Sequence, residues 1–298
     1  MEKGIVIGGS GLLGSKILRE SAKEFETIGT YASHFFKMDN VTVNQLDIRD
    51  EKAVKTFTQT QNPTYIILTA AMTNVDRCET AKEDALAING KAPSRVAKCA
   101  ERVGAKLIYI STDAVFDGRK GLYKEDDKPN PINYYGITKL IGEKEVKKNC
   151  KDWVICRISS LYGWNTITDK QNFATWIIEK LRKKEEIRLF TDQYTTPTFA
   201  DNAAKAIIEI CKTNKKGIYH LASPECMSRF EFGKKLAKIF KLNESLIKPI
   251  VSENLNLAAK RPKKCCLDVS KAKKELKTKL LSVEEALIEM KKQEELIK

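Results

Sequence analysis

Near its start the chain reads Lys3-Gly4-Ile5-Val6-Ile7-Gly8-Gly9-Ser10-Gly11-Leu12-Leu13-Gly14. No other stretch limits the fold as much. Gly4 to Ile7 is a short apolar run without polar alternation, the pattern of a strand buried on both faces of a parallel sheet. From Leu12 the apolar residues Leu12, Leu13, Ile17 and Leu18 recur at helical spacing. The glycines between them let the backbone turn tightly and approach a ligand. The free amides and partial positive charge of the helix start favour a pyrophosphate. A strand, a G-x-x-G-x-x-G turn from Gly8 (or G-x-G-x-x-G from Gly9) and a helix, in that order, predict a dinucleotide cradle formed by Gly8, Ser10, Gly11, Leu12, Leu13 and Gly14.

The rest of the chain continues the alternation. Buried-strand patterns lie at residues 27–31, 41–44, 65–69, 106–110 and 153–158, and helical patterns at 12–23, 51–61, 81–103 and 134–148. This order predicts an α/β fold, a Rossmann-type doubly wound parallel sheet over residues 1–165. Residues 166–298, with helical patterns near 171–184, 201–212, 228–240 and 283–295, read as a smaller C-terminal α/β lobe. That lobe is expected to be mainly substrate-binding and interleaved with the sheet.

Composition narrows the function. The net charge is +14, but the lysines come in short groups on amphipathic helices, which argues for solvated faces and against nucleic-acid binding. No apolar run is long enough to span a membrane and the first residues lead directly into a strand, so no membrane contact and a cytoplasmic location are expected. Eight scattered cysteines and two histidines lack metal-ligand spacing, which predicts no metal site. The cysteines are expected to be buried, with no disulfide framework; only the adjacent Cys265-Cys266 invites oxidation.

The second strand pattern ends Gly29-Thr30-Tyr31-Ala32-Ser33-His34 without the carboxylate that usually holds the adenosine ribose of NAD. Ser33 and His34, helped by Lys37, could instead hold a 2′-phosphate. NADPH is the expected coenzyme and NADH the alternative. Asp47-Ile48, after the third strand, is placed to cap the adenine. Tyr135 and Lys139 stand four apart in a helical stretch, so both leave one helix face. A phenol titrates near ~10, and an adjacent ammonium, together with an oxidised nicotinamide, would bring it into a range useful for proton transfer. Thr112, where the fifth strand ends, is placed to hydrogen-bond a substrate carbonyl, with Asp113 beside it.

These stretches, together with "AAMTNVDRCE", "AINGKAP", "STDAVFDG", "PINYYGITKLIGE", "RISSLYG", "PTFADNAAKAI", "GIYHLA" and "RPKKCCLD", resemble the dTDP-4-dehydrorhamnose reductase family of extended short-chain dehydrogenases/reductases over nearly the whole chain. The resemblance implies hydride transfer to the C4 ketone of a nucleotide-linked 4-dehydro-6-deoxysugar, with Thr112, Tyr135 and Lys139 as the triad. It implies that Ala70, Ala71 and Thr73 line the coenzyme and that Asn89 supports a water relay, although an asparagine bonded to backbone reads equally well. It also implies magnesium at a homodimer contact, for which no acidic residues stand out here. Ser160 replaces a tryptophan usual in the bacterial reductases, and Arg261 is the candidate for the substrate diphosphate. The family also contains the NADP-binding regulatory β subunit of methionine adenosyltransferase, so a non-catalytic role is the alternative.

Overall fold

The computed structural model describes residues 2–254 and 257–297. Six strands, β1 (Lys3–Ile7), β2 (Glu26–Tyr31), β3 (Val41–Gln45), β4 (Tyr65–Leu68), β5 (Lys106–Thr112) and β6 (Trp153–Ile158), form one parallel sheet with a seventh, Gly217–His220. The spatial order is β3-β2-β1-β4-β5-β6, closed by the seventh strand at the β6 edge. The chain therefore reverses direction across the sheet between β1 and β4, the switch point at which doubly wound sheets bind ligands.

Both faces of the sheet are dry, and the period-two geometry of a strand explains why the strand patterns are continuous. Ile5, Ile7, Ile66, Leu68, Leu107, Tyr109 and Ile155 face one core, and Val6, Ile67, Ile108, Ile110, Val154 and Cys156 the other. The first core is covered by helices α2 (Glu51–Gln61), α5 (Ala92–Val103) and α6 (Tyr134–Asn149), the second by α1 (Leu12–Ser21) and α8 (Ala200–Cys211). A third core, around Ile177, Leu189, Phe232, Leu236 and Leu287, belongs to the lobe built from α7 (Phe173–Arg182), α9 (Arg229–Phe240) and α11 (Val283–Ile297). The chain returns to the sheet from this half: α8 packs on α1 and the seventh strand pairs with β6.

The continuous helical pattern over 81–103 is broken in the structure. Helix α4 (Lys82–Ala85) passes into a π-helical turn, Leu86–Lys91, before α5, and a short α3 (Val75–Thr80) precedes them. Pro93 is the reason. It has no N–H to give to the Asn89 carbonyl, so the ladder widens and Ala92 donates to Ala87 instead.

The cysteine expectation is corrected by one bond. Cys226 and Cys266 form a disulfide, with Cα atoms 5.5 Å apart across a sequence separation of 40. The spacing along the chain gives no hint of it, because the pair meets only when the segment after Arg261 folds back beside the start of α9. The partner of Cys266 is thus Cys226; the other six cysteines, Cys265 among them, are buried thiols.

His220 is fully buried, its Nδ1 paired with the Asp268 carbonyl oxygen at 3.0 Å. Burial, aided by the Arg157 charge, pulls its pKa from 6.5 to about 4. Between these two values the unfolded chain takes up the proton first. His220 therefore lowers stability as pH falls below about 6.5, with the full loss reached near pH 4 and amounting to about 3 kcal/mol. The expected result is that His220→Asn, which keeps a short polar group facing Asp268, shows a shallower fall of Tm between pH 7 and pH 4 than the parent. Equal slopes would assign acid sensitivity to other groups.

Candidate active site

The carboxyl ends of β1, β4, β5 and β6 converge on one cleft. At the end of β1, Gly8 adopts φ +95°, and a Cβ there would stand 2.7 Å from the Ala70 nitrogen that follows β4. A Cβ on Gly14 would land on the Gly8 carbonyl oxygen, so the first turn of α1 lies directly against the strand end. Gly11, the N-cap of α1, is exposed and has no side-chain cap, and the first turn carries no acidic residue. These open amides fit the pyrophosphate of a dinucleotide, the group the glycine pattern calls for. Ser10 and Leu12 stand half-buried at this turn, while the Leu13 side chain is in the core and leaves only its backbone to the cleft.

Ser33 and His34 are exposed past the end of β2, with Ser33 Oγ 2.9 Å from His34 Nδ1. Asp47 holds Arg49 in a two-pronged ion pair whose shortest contact is 2.7 Å, and this hydrogen bonding keeps its carboxyl below the usual range. The Ile48 side chain lies in the core. Arg49 was not singled out from the sequence; it comes into play because β3 lies beside β2. Ala70 and Ala71 border the cleft after β4, and Thr73 Oγ1 accepts from Lys170 at 3.2 Å. Asn89 is buried. Its amide brackets the Met72 backbone, accepting from the nitrogen at 2.9 Å and donating to the oxygen at 3.0 Å. Its side chain therefore shapes the loop that carries Ala70 to Thr73.

The proton-handling group sits on the facing side. Asn133 caps α6 by accepting from the Gly136 nitrogen at 2.9 Å, which fixes the turn that presents Tyr135. Thr112 Oγ1 accepts from the Ala114 nitrogen at 3.1 Å and donates to Asp113 Oδ1 at 3.0 Å, and Thr112 favours the ionised form of the neighbouring Tyr135 phenol. Asp113 also accepts from Ser159 Oγ at 2.5 Å, so it holds Thr112 and the start of the Ser160 turn together. Burial pushes the Asp113 carboxyl upward against those bonds and the Arg229 charge. Lys139 Nζ donates to the Ile110 carbonyl oxygen at 2.7 Å and lies 4.1 Å from the Tyr109 ring centre.

The phenol departs from the reading of its sequence neighbours. Burial raises the Tyr135 pKa above its ordinary value, the Asp113 charge adds to the rise, and Lys139 is not among the groups that lower it. The ammonium is turned to the Ile110 carbonyl rather than to the phenolic oxygen. Such a phenol is held neutral, the form that can donate a proton.

Beyond Thr112 lies a narrow recess lined by Ser160, Tyr162, Phe173, Thr195, Pro197, Arg229 and Phe232. Ser160 lies at φ +43°, a left-handed turn held where the chain leaves β6. The guanidinium of Arg229 stacks over Phe173 at 4.7 Å and feels the charges of Asp113 and Arg261. Arg229 is the main residue that sequence reading missed. The usable signal was the Ser228-x-x-Glu231 capping box, which starts α9 with Arg229 in its first turn at the cleft. Arg261 is engaged elsewhere: Nη2 bonds Asp76 Oδ2 at 2.6 Å and Nη1 the Ala259 carbonyl at 2.9 Å, tying the late loop to α3. Among the described residues no cluster of three or more His, Cys, Asp or Glu side chains has metal-ligand geometry, so no residues are assigned to magnesium. Among the same residues, no helix is long and apolar enough to cross a membrane.

Comparison with known families matches residues 3–295 to the RmlD substrate binding domain. The chain is 36% identical over 274 residues to the probable low-salt glycan biosynthesis reductase Agl14 of Haloferax volcanii, covering 91% of each. It is 32% identical over 279 residues to the methionine adenosyltransferase 2 subunit beta of Xenopus laevis, covering 91% of this chain and 82% of that one. Among solved structures, the dTDP-4-dehydrorhamnose reductase of Bacillus anthracis in complex with NADP superposes with a TM-score of 0.88 at 31% identity. That superposition covers 98% of this chain and 99% of the other.

Proposed function

This chain belongs to the RmlD substrate binding domain family, and on that premise we propose that it is an NADPH-dependent oxidoreductase that reduces the C4 ketone of a nucleotide-linked 4-dehydro-6-deoxysugar. The observation that carries the reading is the convergence of Thr112, Tyr135 and Lys139 opposite an open glycine turn. The α1 turn would hold the pyrophosphate of the coenzyme, whose dihydronicotinamide would supply the hydride. Thr112 orients the carbonyl oxygen, and Tyr135 gives that oxygen its proton as it becomes an alcohol. Lys139 supplies positive charge on the same helix face, and Asn89 keeps the loop lining the coenzyme in place. Arg229 takes the lead in binding the substrate diphosphate, with Arg261 adding its charge nearby while it holds the late loop. The binding geometry brings donor and acceptor together, which supplies much of the rate in such transfers. The substrate partner is a small nucleotide sugar.

The test is oxidation of NADPH on adding a thymidine-diphosphate-linked 4-dehydro-6-deoxysugar. Turnover is expected, and Arg229→Met should raise KM 10- to 100-fold with a much smaller effect on kcat, the size of one charge-assisted hydrogen-bonded contact. NADPH binding without turnover of any nucleotide-linked keto sugar would overturn the reductase reading. It would favour a coenzyme-binding regulatory subunit, to which the 32% identity with methionine adenosyltransferase 2 subunit beta gives its weight.

A further inference from the structure

Tyr135, Lys139 and Glu143 follow one another at four-residue spacing on α6 and so lie along one face of the helix. Lys139 and Glu143 are both almost completely buried. The two groups that touch the Lys139 ammonium, the Ile110 carbonyl and the Tyr109 ring, carry no formal charge. An ammonium in such a place is unstable unless an opposite charge lies near it.

One helical turn away the Glu143 carboxylate is fixed on both oxygens. Oε1 accepts from Arg157 Nε at 2.9 Å and from Ser111 Oγ at 2.6 Å, and Oε2 accepts from Arg157 Nη2 at 2.8 Å. Each partner comes from a different strand, Ser111 from β5 and Arg157 from β6, so the sheet itself sets the position of the charge. The titratable groups around the pair are Tyr109 from β5, Asp113 from the turn after it, Tyr135 and Lys147 from α6, Arg157 from β6, Cys78 from α3, and His220 from the edge strand. Among the charges, Glu143 is the one that acts directly on Lys139.

We propose that Glu143, pinned by Ser111 and Arg157, is a positioning residue that sustains the charge on Lys139 in the dry interior behind Tyr135. Burial draws the Lys139 pKa down to about 7 even with the Glu143 carboxylate opposing that fall. With the carboxylate removed, Lys139 is largely neutral at physiological pH and the face of α6 behind the phenol loses its positive charge. The consequence for turnover rests on the reductase reading; the ionisation of Lys139 does not.

The experiment uses the full chain labelled with [13Cε]lysine, the Lys139 signal being assigned by its loss in Lys139→Met. In Glu143→Gln the Lys139 titration should move down by about one pH unit or more, and the alkaline limb of kcat should move with it. Arg157→Gln, which leaves the carboxylate less neutralised, should move the same signal upward. It provides the test if Glu143→Gln does not fold. An unchanged Lys139 titration in a folded variant overturns the proposal. A shifted titration in a protein without turnover supports it and puts the failure on the reductase reading alone.

Discussion

Tyr135→Phe is expected to lower turnover of a nucleotide-linked keto sugar about 10³-fold while leaving NADPH affinity within a few-fold. The size follows from what general acid catalysis contributes, roughly 10² to 10⁴. No nearby group is free to replace the phenol. The single hydroxyl proton of Thr112, bonded to Asp113 in the free protein, is the one that must turn to the carbonyl to orient it, and the Lys139 ammonium is turned to the Ile110 carbonyl. Asp113 is occupied by Thr112 and Ser159. The phenylalanine keeps the ring and its packing, so Tm should hardly change. Single-turnover kinetics paired with a fluorescence titration of NADPH separates the two effects. A loss of affinity equal to the loss of rate would make Tyr135 a binding residue only.

Gly14→Ala should be strongly damaging for a change of a single methyl group. Its Cβ would fall on the Gly8 carbonyl oxygen, and both groups are backbone, so neither can rotate away. Gly8 itself is held against the Ala70 backbone. Relief requires lifting the first turn of α1 off the strand end, an overpacking cost of about 3 kcal/mol or more, and it moves the amides that would meet the coenzyme. Thermal unfolding should show a clear drop in Tm, and NADPH affinity should fall by at least about 100-fold. Gly11→Ala is the control. Its Cβ would meet only the Gly8 carbonyl oxygen, at 3.4 Å, so the fold should tolerate it within about 1 kcal/mol. Coenzyme binding would weaken because the methyl group occupies the open side of the cradle. Equal stability losses in the two variants would contradict the packing described for this turn.

What the sequence made legible was whatever is encoded by neighbours along the chain. The β1-to-α1 glycine turn, the four-residue spacing of Tyr135 and Lys139, and Thr112 at the end of β5 are local patterns, and each lies where its pattern places it. The continuous apolar strands reported a sheet covered on both faces before either cover was known. Contacts made across the fold were not legible. Cys226 meets Cys266 only after the late segment turns back, and the π-helical turn before Pro93 depends on a single missing N–H. Arg229 reaches the cleft because α9 starts there, and the Glu143–Arg157 pair joins α6 to β6. Spacing puts a lysine near Tyr135, but only the fold decides that its ammonium turns to a carbonyl and that burial raises the phenol.

A crystal of this chain grown with NADP⁺ tests most directly whether a dinucleotide lies between the α1 turn and Tyr135. The pyrophosphate is expected on the open amides of residues 12 and 13, and the reactive carbon of the nicotinamide beside Thr112 and Tyr135. A coenzyme bound with its nicotinamide turned away from Tyr135, or density absent from the glycine turn at saturating coenzyme, would contradict that placement.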